Sequence, residues 1–242
     1  MSLYCPLYNH LFIHVPKCAG TSMAIAMEAA GSKPSSGHRT LGEYIVEGDL
    51  PSDIFKWCFV RNPYDRLVSA HLYLQSGPAH KPSMRWLGVV EAGIPSGLGP
   101  PELDDELSSL YNEYRTPIKS FESFVLNLKE IKKMNINHLK EQHSFISFEN
   151  ITMDFIGRYE TIEQDWNYIS NKLYNRKIHL HTLNDSLEYA KAGHGSDKIV
   201  DHLPMEFKPK NKNYMSRYTP EMIKVVNEVY SKDFELFGYT RY

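Results

Sequence analysis

Hydrophobic and polar positions along this chain follow first the period of a strand and then that of a helix, more than once. Leu11, Phe12, Ile13 and Val15 form a short apolar, β-favouring run that Pro16 closes, because proline cannot donate to a central ladder. Residues 21–30 are rich in helix formers and stop at Gly31. A polar stretch over 32–39 leads to a short helix at 40–45. Residues 54–60, β-branched and aromatic almost throughout, predict a second strand, and Asn62-Pro63 turns it into a helix running through Leu74. From Ser120, the residues Phe121, Phe124, Val125, Leu128 and Ile131 recur at spacings of three and four, the stripe of a core-facing helix. Residues 153–159 predict a further strand and 163–174 an amphipathic helix. Thr219 and Pro220 cap and open a last helix, with Ile223, Val226, Val229, Tyr230 and Phe234 along one side. Two stretches have no such period. Residues 75–117, dense in Gly, Pro and Ser, read as a loop-rich insertion, and 189–213 read as a polar, lysine-rich loop.

The repeated strand, turn and helix predict an α/β fold. We expect one domain over residues 1–242, with a central parallel sheet flanked by helices and polar groups gathered where each strand ends. A chain of 242 residues suits one substantial core and is cramped for two. With 42% hydrophobic and 23% charged residues, disordered and fibrous classes are excluded. The net charge of −2 gives no global attraction to nucleic acid, so an anionic ligand must find a local concentration of positive groups. Cys5, Cys18 and Cys58 are too few and too irregular for a disulfide framework or a CxxC metal site, which points to a reducing, cytoplasmic compartment. No His/Cys/Asp cluster has metal-ligand spacing, and no metal is expected. No run of about 18 apolar residues predicts a membrane span, and no signal peptide is visible. Met1, Ser2 and Leu3 read as a cloning leader.

Candidate chemistry concentrates at the ends of the first two strands. After residues 11–15 comes a turn containing Lys17, Cys18, Ala19 and Gly20, then a helix opening on Thr21 and Ser22. The first N–H groups of a helix have no intrahelical partners and the macrodipole is positive there, so this is an anion cradle with a lysine at its mouth. In the Walker A pattern glycine precedes Gly-Lys-Ser/Thr. Here the lysine comes first and the hydroxyls follow the glycine, so this is a phosphate loop of another kind. The bland reading of the same residues is a strand-to-helix turn with a surface lysine. At the second strand end stand Arg61, a forked donor, and Ser69, two turns along the following helix. Arg66 beside Asp65 reads as a structural or solvated pair and is left out of the site.

The stretch from His14 to Ser22 resembles the 5′-phosphosulfate loop of the carbohydrate sulfotransferases, and that from Phe59 to Ser69 their 3′-phosphate motif. Further similarity covers His138, Leu139 and Gln142, the run from Asp154 to Glu160, and the C-terminal stretch from Tyr230 to Tyr239. The likeness extends to the Golgi glycan sulfotransferases and their small bacterial relatives. Cys18 stands where threonine or another small residue is common in them, and the 75–117 insertion has no counterpart. The resemblance implies a P-loop nucleotide-kinase-like sulfotransferase fold. It also implies 3′-phosphoadenosine 5′-phosphosulfate (PAPS) as donor and a sugar or glycan hydroxyl as acceptor.

In-line sulfuryl transfer needs positioning and neutralisation of charge on the leaving group, the task expected of Lys17. Backbone and hydroxyl groups from Cys18 to Ser22 would hold the 5′-phosphate, and Arg61 and Ser69 the 3′-phosphate. Lys212 and Arg217, in a basic stretch, are expected to close over the donor. His38 is the expected base, since it lies between the two motifs and histidine suits proton transfer near neutral pH; His71, His138 and Glu43 are its rivals. His138 and Gln142, four apart, are expected to share a helical face towards the acceptor together with His38. Two other classes compete: a P-loop nucleotide kinase-like phosphotransferase, which requires a Walker A lysine and a Mg²⁺-binding aspartate, and a non-catalytic nucleotide- or glycan-binding module on the same fold.

Overall fold

The computed structural model describes residues 2–32, 38–48, 50–76, 120–180 and 213–242. Most of the expected insertion, all but its first two residues, and nearly all of the 189–213 loop, Lys212 included, lie outside them. The described residues fall into two compact units. One is drawn from 2–62 and 141–180, the other from 63–76, 120–140 and 213–242.

The first unit holds the sheet. Strands β1 (Leu3–Cys5), β2 (His10–Ile13), β3 (Phe55–Val60) and β4 (Phe155–Arg158) lie side by side in that order. β2, β3 and β4 run parallel, as the repeated strand–turn–helix units predict. β1 is antiparallel to β2, pairing Leu3 with Phe12 and Cys5 with His10. This edge strand makes Leu3, Tyr4 and Cys5 part of the sheet. Leu3 and Ser2 are fully buried, and the Ser2 hydroxyl bonds within the fold. Helices α1 (Gly20–Ala29) and α2 (Leu41–Val46) follow β2. The sheet's aromatic centre is Trp57, whose ring lies 4.5 Å from Phe12 and 6.1 Å from Trp166.

Under the sheet runs a buried polar chain. The Trp57 indole N–H donates to His10 Nδ1 at 3.2 Å, His10 Nε2 lies 3.1 Å from the Tyr174 hydroxyl, and that hydroxyl lies 3.4 Å from Ser32 Oγ. Burial penalises a charged imidazole, and the His10 pKa falls from 6.5 to about 4.

The second unit is helical among its described residues. It begins with α3 (Pro63–Ser76), which opens on proline as expected. The expected single helix from Ser120 is instead two, α4 (Phe121–Leu126) and α5 (Leu128–Ile131). They part at Asn127, whose side-chain amide donates to the Ser123 carbonyl at 2.8 Å and so competes with the backbone ladder. In the first unit follow α6 (His143–Ile146) and α7 (Ile162–Tyr174), the latter packed on β4. The last expected helix is also divided, into α8 (Pro220–Val229) and α9 (Ser231–Phe237). At the break Tyr230 leaves helical geometry, and its buried hydroxyl donates to the Leu139 carbonyl at 2.9 Å. Met222, Val226, Tyr230 and Phe234 nonetheless keep one apolar stripe, packed with Phe124, Val125 and Leu128.

Candidate active site

Parallel register brings three strand ends to one edge of the sheet. Ile13 pairs with Cys58 and Val60 with Arg158, so the residues after β2, β3 and β4 emerge together. The turn after β2 holds two non-glycine residues in the left-handed region, Lys17 at φ 68° and Ala19 at φ 63°. Such residues cost about 1–3 kcal/mol each and persist only where the surroundings hold them. Left-handed residues in a tight turn aim successive N–H groups into one concavity. Here that concavity runs into the first turn of α1, where Ala19 supplies no side-chain cap. The cradle expected at the mouth of α1 is therefore formed by backbone, in keeping with a bound phosphate or sulfate group.

Gly20 opens α1 against an imidazole. A Cβ there would stand 1.9 Å from His14 Cδ2 and 2.0 Å from Nε2, so the close approach requires glycine. The His14 ring is buried, stacks on Phe12 and lies 4.5 Å from the ring of His38. Ser2 ties the two histidine segments together: its hydroxyl accepts from the His14 backbone N–H at 3.1 Å and donates to the Arg39 carbonyl at 2.7 Å. Immediately beyond His38, Thr40 and Glu43 form a reciprocal capping box that starts α2. His38 is thus brought beside His14 at the loop, and the residues after it, Arg39 and Thr40, are tied down. Glu43, a rival base, uses its carboxylate on the Thr40 N–H at 2.6 Å.

Arg61 follows β3 and is almost wholly buried. Its Nη1 donates to the Lys17 carbonyl at 3.2 Å, and its guanidinium lies 3.9 Å from the centre of the Tyr159 ring. Beside it the Asn62 N–H donates to Glu160 at 2.7 Å. Tyr159 and Glu160 directly follow β4, which Gly157 lets lie against Phe59, whose ring would be 2.6 Å from an added Cβ. Gln142 donates to the Arg61 carbonyl and accepts from its N–H, at 2.8 and 2.9 Å. Cys18 Sγ donates to the same Gln142 oxygen at 3.3 Å. Burial, with the nearby Cys18 thiol, pushes the Cys58 thiol far above its ordinary value, which keeps it protonated.

The first unit therefore gathers Lys17, the 18–22 backbone, His38, Arg61 and Gln142. Ser69, half-buried on α3, belongs to the second unit, as do buried His138 and exposed Arg217. His71, another rival base, has its ring packed against Phe121 and Phe124 at 5.2 and 4.9 Å. His138 and Gln142 do not share a helical face. His138 sits in a separate turn, Asn137–Leu139, and extended Lys140 intervenes before Gln142. Arg66, left out of the site from sequence, is buried and donates to the Lys140 carbonyl at 2.9 Å. Sequence reasoning missed His14, Ser2 and Tyr159 as site residues. His14 and Tyr159 were inside the stretches that carried the family likeness, whereas nothing local marks Ser2.

A left-handed backbone cradle, a lysine within it and an anchored arginine stand on one edge of the sheet of this α/β protein. The chain belongs to the sulfotransferase family, whose model matches residues 2–240, nearly its whole length. Membership makes it a transferase of sulfuryl groups. No curated protein and no solved structure matches it. No described helix is long and apolar enough to cross a membrane.

Proposed function

We propose that this protein transfers a sulfuryl group from PAPS to a hydroxyl of a carbohydrate or glycan. The observation that carries the reading is the link between the two half-sites: the Arg61 guanidinium is bonded to the carbonyl of the lysine that heads the cradle. A donor phosphorylated at both ends of its ribose needs such a pair of anion sites at a fixed separation. Backbone N–H groups of residues 18–22, with the Thr21 and Ser22 hydroxyls, bind the 5′ end. Arg61 binds the 3′-phosphate. PAPS supplies an activated sulfuryl group on a phosphate leaving group.

Lys17 neutralises the charge that collects on the bridging oxygen as its bond to sulfur breaks. His38 takes the proton from the acceptor hydroxyl as the new sulfur–oxygen bond forms, and His14 keeps the His38 ring beside the loop. The test is calorimetric titration with adenosine 3′,5′-bisphosphate beside ATP–Mg²⁺. Preference for the bisphosphate, abolished by Arg61→Ala, is expected; preference for ATP–Mg²⁺ overturns the proposal. Transfer assays with His38→Ala test the base separately, and undiminished turnover would remove that assignment.

A further inference from the structure

Gln142 stands at the N-cap position of α6 and is entirely buried. Burying a primary amide is unfavourable unless its oxygen and nitrogen are engaged, and here both are. The oxygen accepts from the Arg61 N–H at 2.9 Å and from Cys18 Sγ at 3.3 Å, while the nitrogen donates to the Arg61 carbonyl at 2.8 Å. Arg61 lies just beyond the last paired residue of β3, where the sheet ladder no longer sets the direction of its backbone. A side chain performs that task instead, bonding both sides of one residue as a neighbouring strand would. The Arg61 side chain then reaches Lys17, which is joined by its peptide bond to Cys18. Lys17, Cys18, Gln142 and Arg61 thus close a ring that spans two strand ends through a group belonging to neither.

We propose that Gln142 is a positioning residue for donor selection. Its amide fixes the direction of Arg61 and the separation of that arginine from the lysine loop, and so confers preference for a nucleotide with a 3′-phosphate. This rests on the proposed function above, in which Arg61 engages that phosphate. It replaces the acceptor contact expected of Gln142 from sequence, because an amide committed to three internal bonds serves the protein's own geometry. An amide needed only for packing would support both ends of the nucleotide alike; one that aims Arg61 supports the 3′ end selectively.

The experiment compares adenosine 3′,5′-bisphosphate with adenosine 5′-monophosphate as ligands of wild type, Gln142→Ala, Arg61→Ala and the double variant. Gln142→Met, which keeps the volume and removes the amide, stands in should the alanine variant fail to fold. Wild type is expected to prefer the bisphosphate. The Gln142 variants should lose at least about tenfold of that preference through the bisphosphate alone, with monophosphate affinity within about twofold of wild type. The double variant should lose no more than Arg61→Ala. Equal weakening of both nucleotides, or a preference that survives in the Gln142 variants, overturns the proposal while leaving the donor assignment intact. A wild type indifferent to the 3′-phosphate overturns both.

Discussion

Substituting Gly20 by alanine isolates the contact on which the cradle is built. At the first position of α1 this change should by itself favour the helix, by up to about 1 kcal/mol, because alanine loses less backbone entropy than glycine. The structure reverses the sign. The new Cβ would lie 1.9 Å from His14 Cδ2, far inside van der Waals contact, so the ring or the helix must yield. The ring is held by its stacking on Phe12 and its contact with His38, and the His14 backbone by Ser2. Overpacking of this kind costs about 1–3 kcal/mol. For a chain of this size, a net loss of about 2 kcal/mol lowers the melting temperature by about 4–8 °C. The assay is urea unfolding of four proteins: wild type, Gly20→Ala, His14→Ala and the double variant. With the imidazole gone, Gly20→Ala should become neutral or stabilising, giving a coupling of about 2 kcal/mol between the two sites. An equal cost of Gly20→Ala in both backgrounds would refute the argument, since the strain would then lie in the backbone and not in the ring.

Three further outcomes are expected. His10 is neutral in the native state with a pKa of about 4, against 6.5 as the ordinary value. Between those values the unfolded chain binds a proton that the native chain refuses. Stability should therefore fall with falling pH by up to about 1.4 kcal/mol per unit, and about 3 kcal/mol in all. Urea unfolding from pH 7 to pH 4.5 should show a shallower slope in His10→Gln, and equal slopes would count against His10 as the cause. Thr40→Ala removes the cap of α2, two residues beyond His38, and should cost about 1 kcal/mol in thermal unfolding. The same variant should slow transfer more than it weakens bisphosphate binding; the reverse order would separate α2 from the chemistry. Gly157→Ala drives a Cβ to 2.6 Å from the Phe59 ring and should cost about 1–3 kcal/mol in denaturant while weakening bisphosphate binding through displacement of Tyr159. Unchanged stability would mean that β4 has room that the structure denies.

Local periodicity carried much of the fold. The β2 and β3 runs were legible as short apolar, β-branched or aromatic stretches ended by proline or an Asn-Pro turn, α1 from its helix formers up to Gly31, α3 from its proline start and α7 from its amphipathic period. β1 was not legible: Leu3, Tyr4 and Cys5 are too few to show a period, and only pairing with β2 makes them a strand. The breaks at Asn127 and Tyr230 were hidden because the apolar stripe runs on through both, while a side-chain bond in one case and a long-range hydroxyl contact in the other decide the backbone. In the site, Lys17 and Arg61 could be read from residue type and position after a strand. The role of Gln142 could not, since its partners are 81 and 124 residues away in the chain and its spacing from His138 suggested a helix that does not form. In the sequence His38 stands out only by its place between two motifs, and its contact with His14 is what brings it to the loop.

We propose that Lys17, in its left-handed turn, stabilises the group that leaves when PAPS gives up its sulfuryl group. The most direct measurement is transfer of labelled sulfuryl from PAPS to a panel of glycans by wild type and Lys17→Ala, with bisphosphate affinity measured on the same preparations. Loss of one charge-neutralising donor in the transition state should lower kcat by about 100–1,000-fold, while bisphosphate affinity falls much less. Transfer by Lys17→Ala at the wild-type rate, or no transfer from PAPS by wild type to any glycan of the panel, would contradict the account.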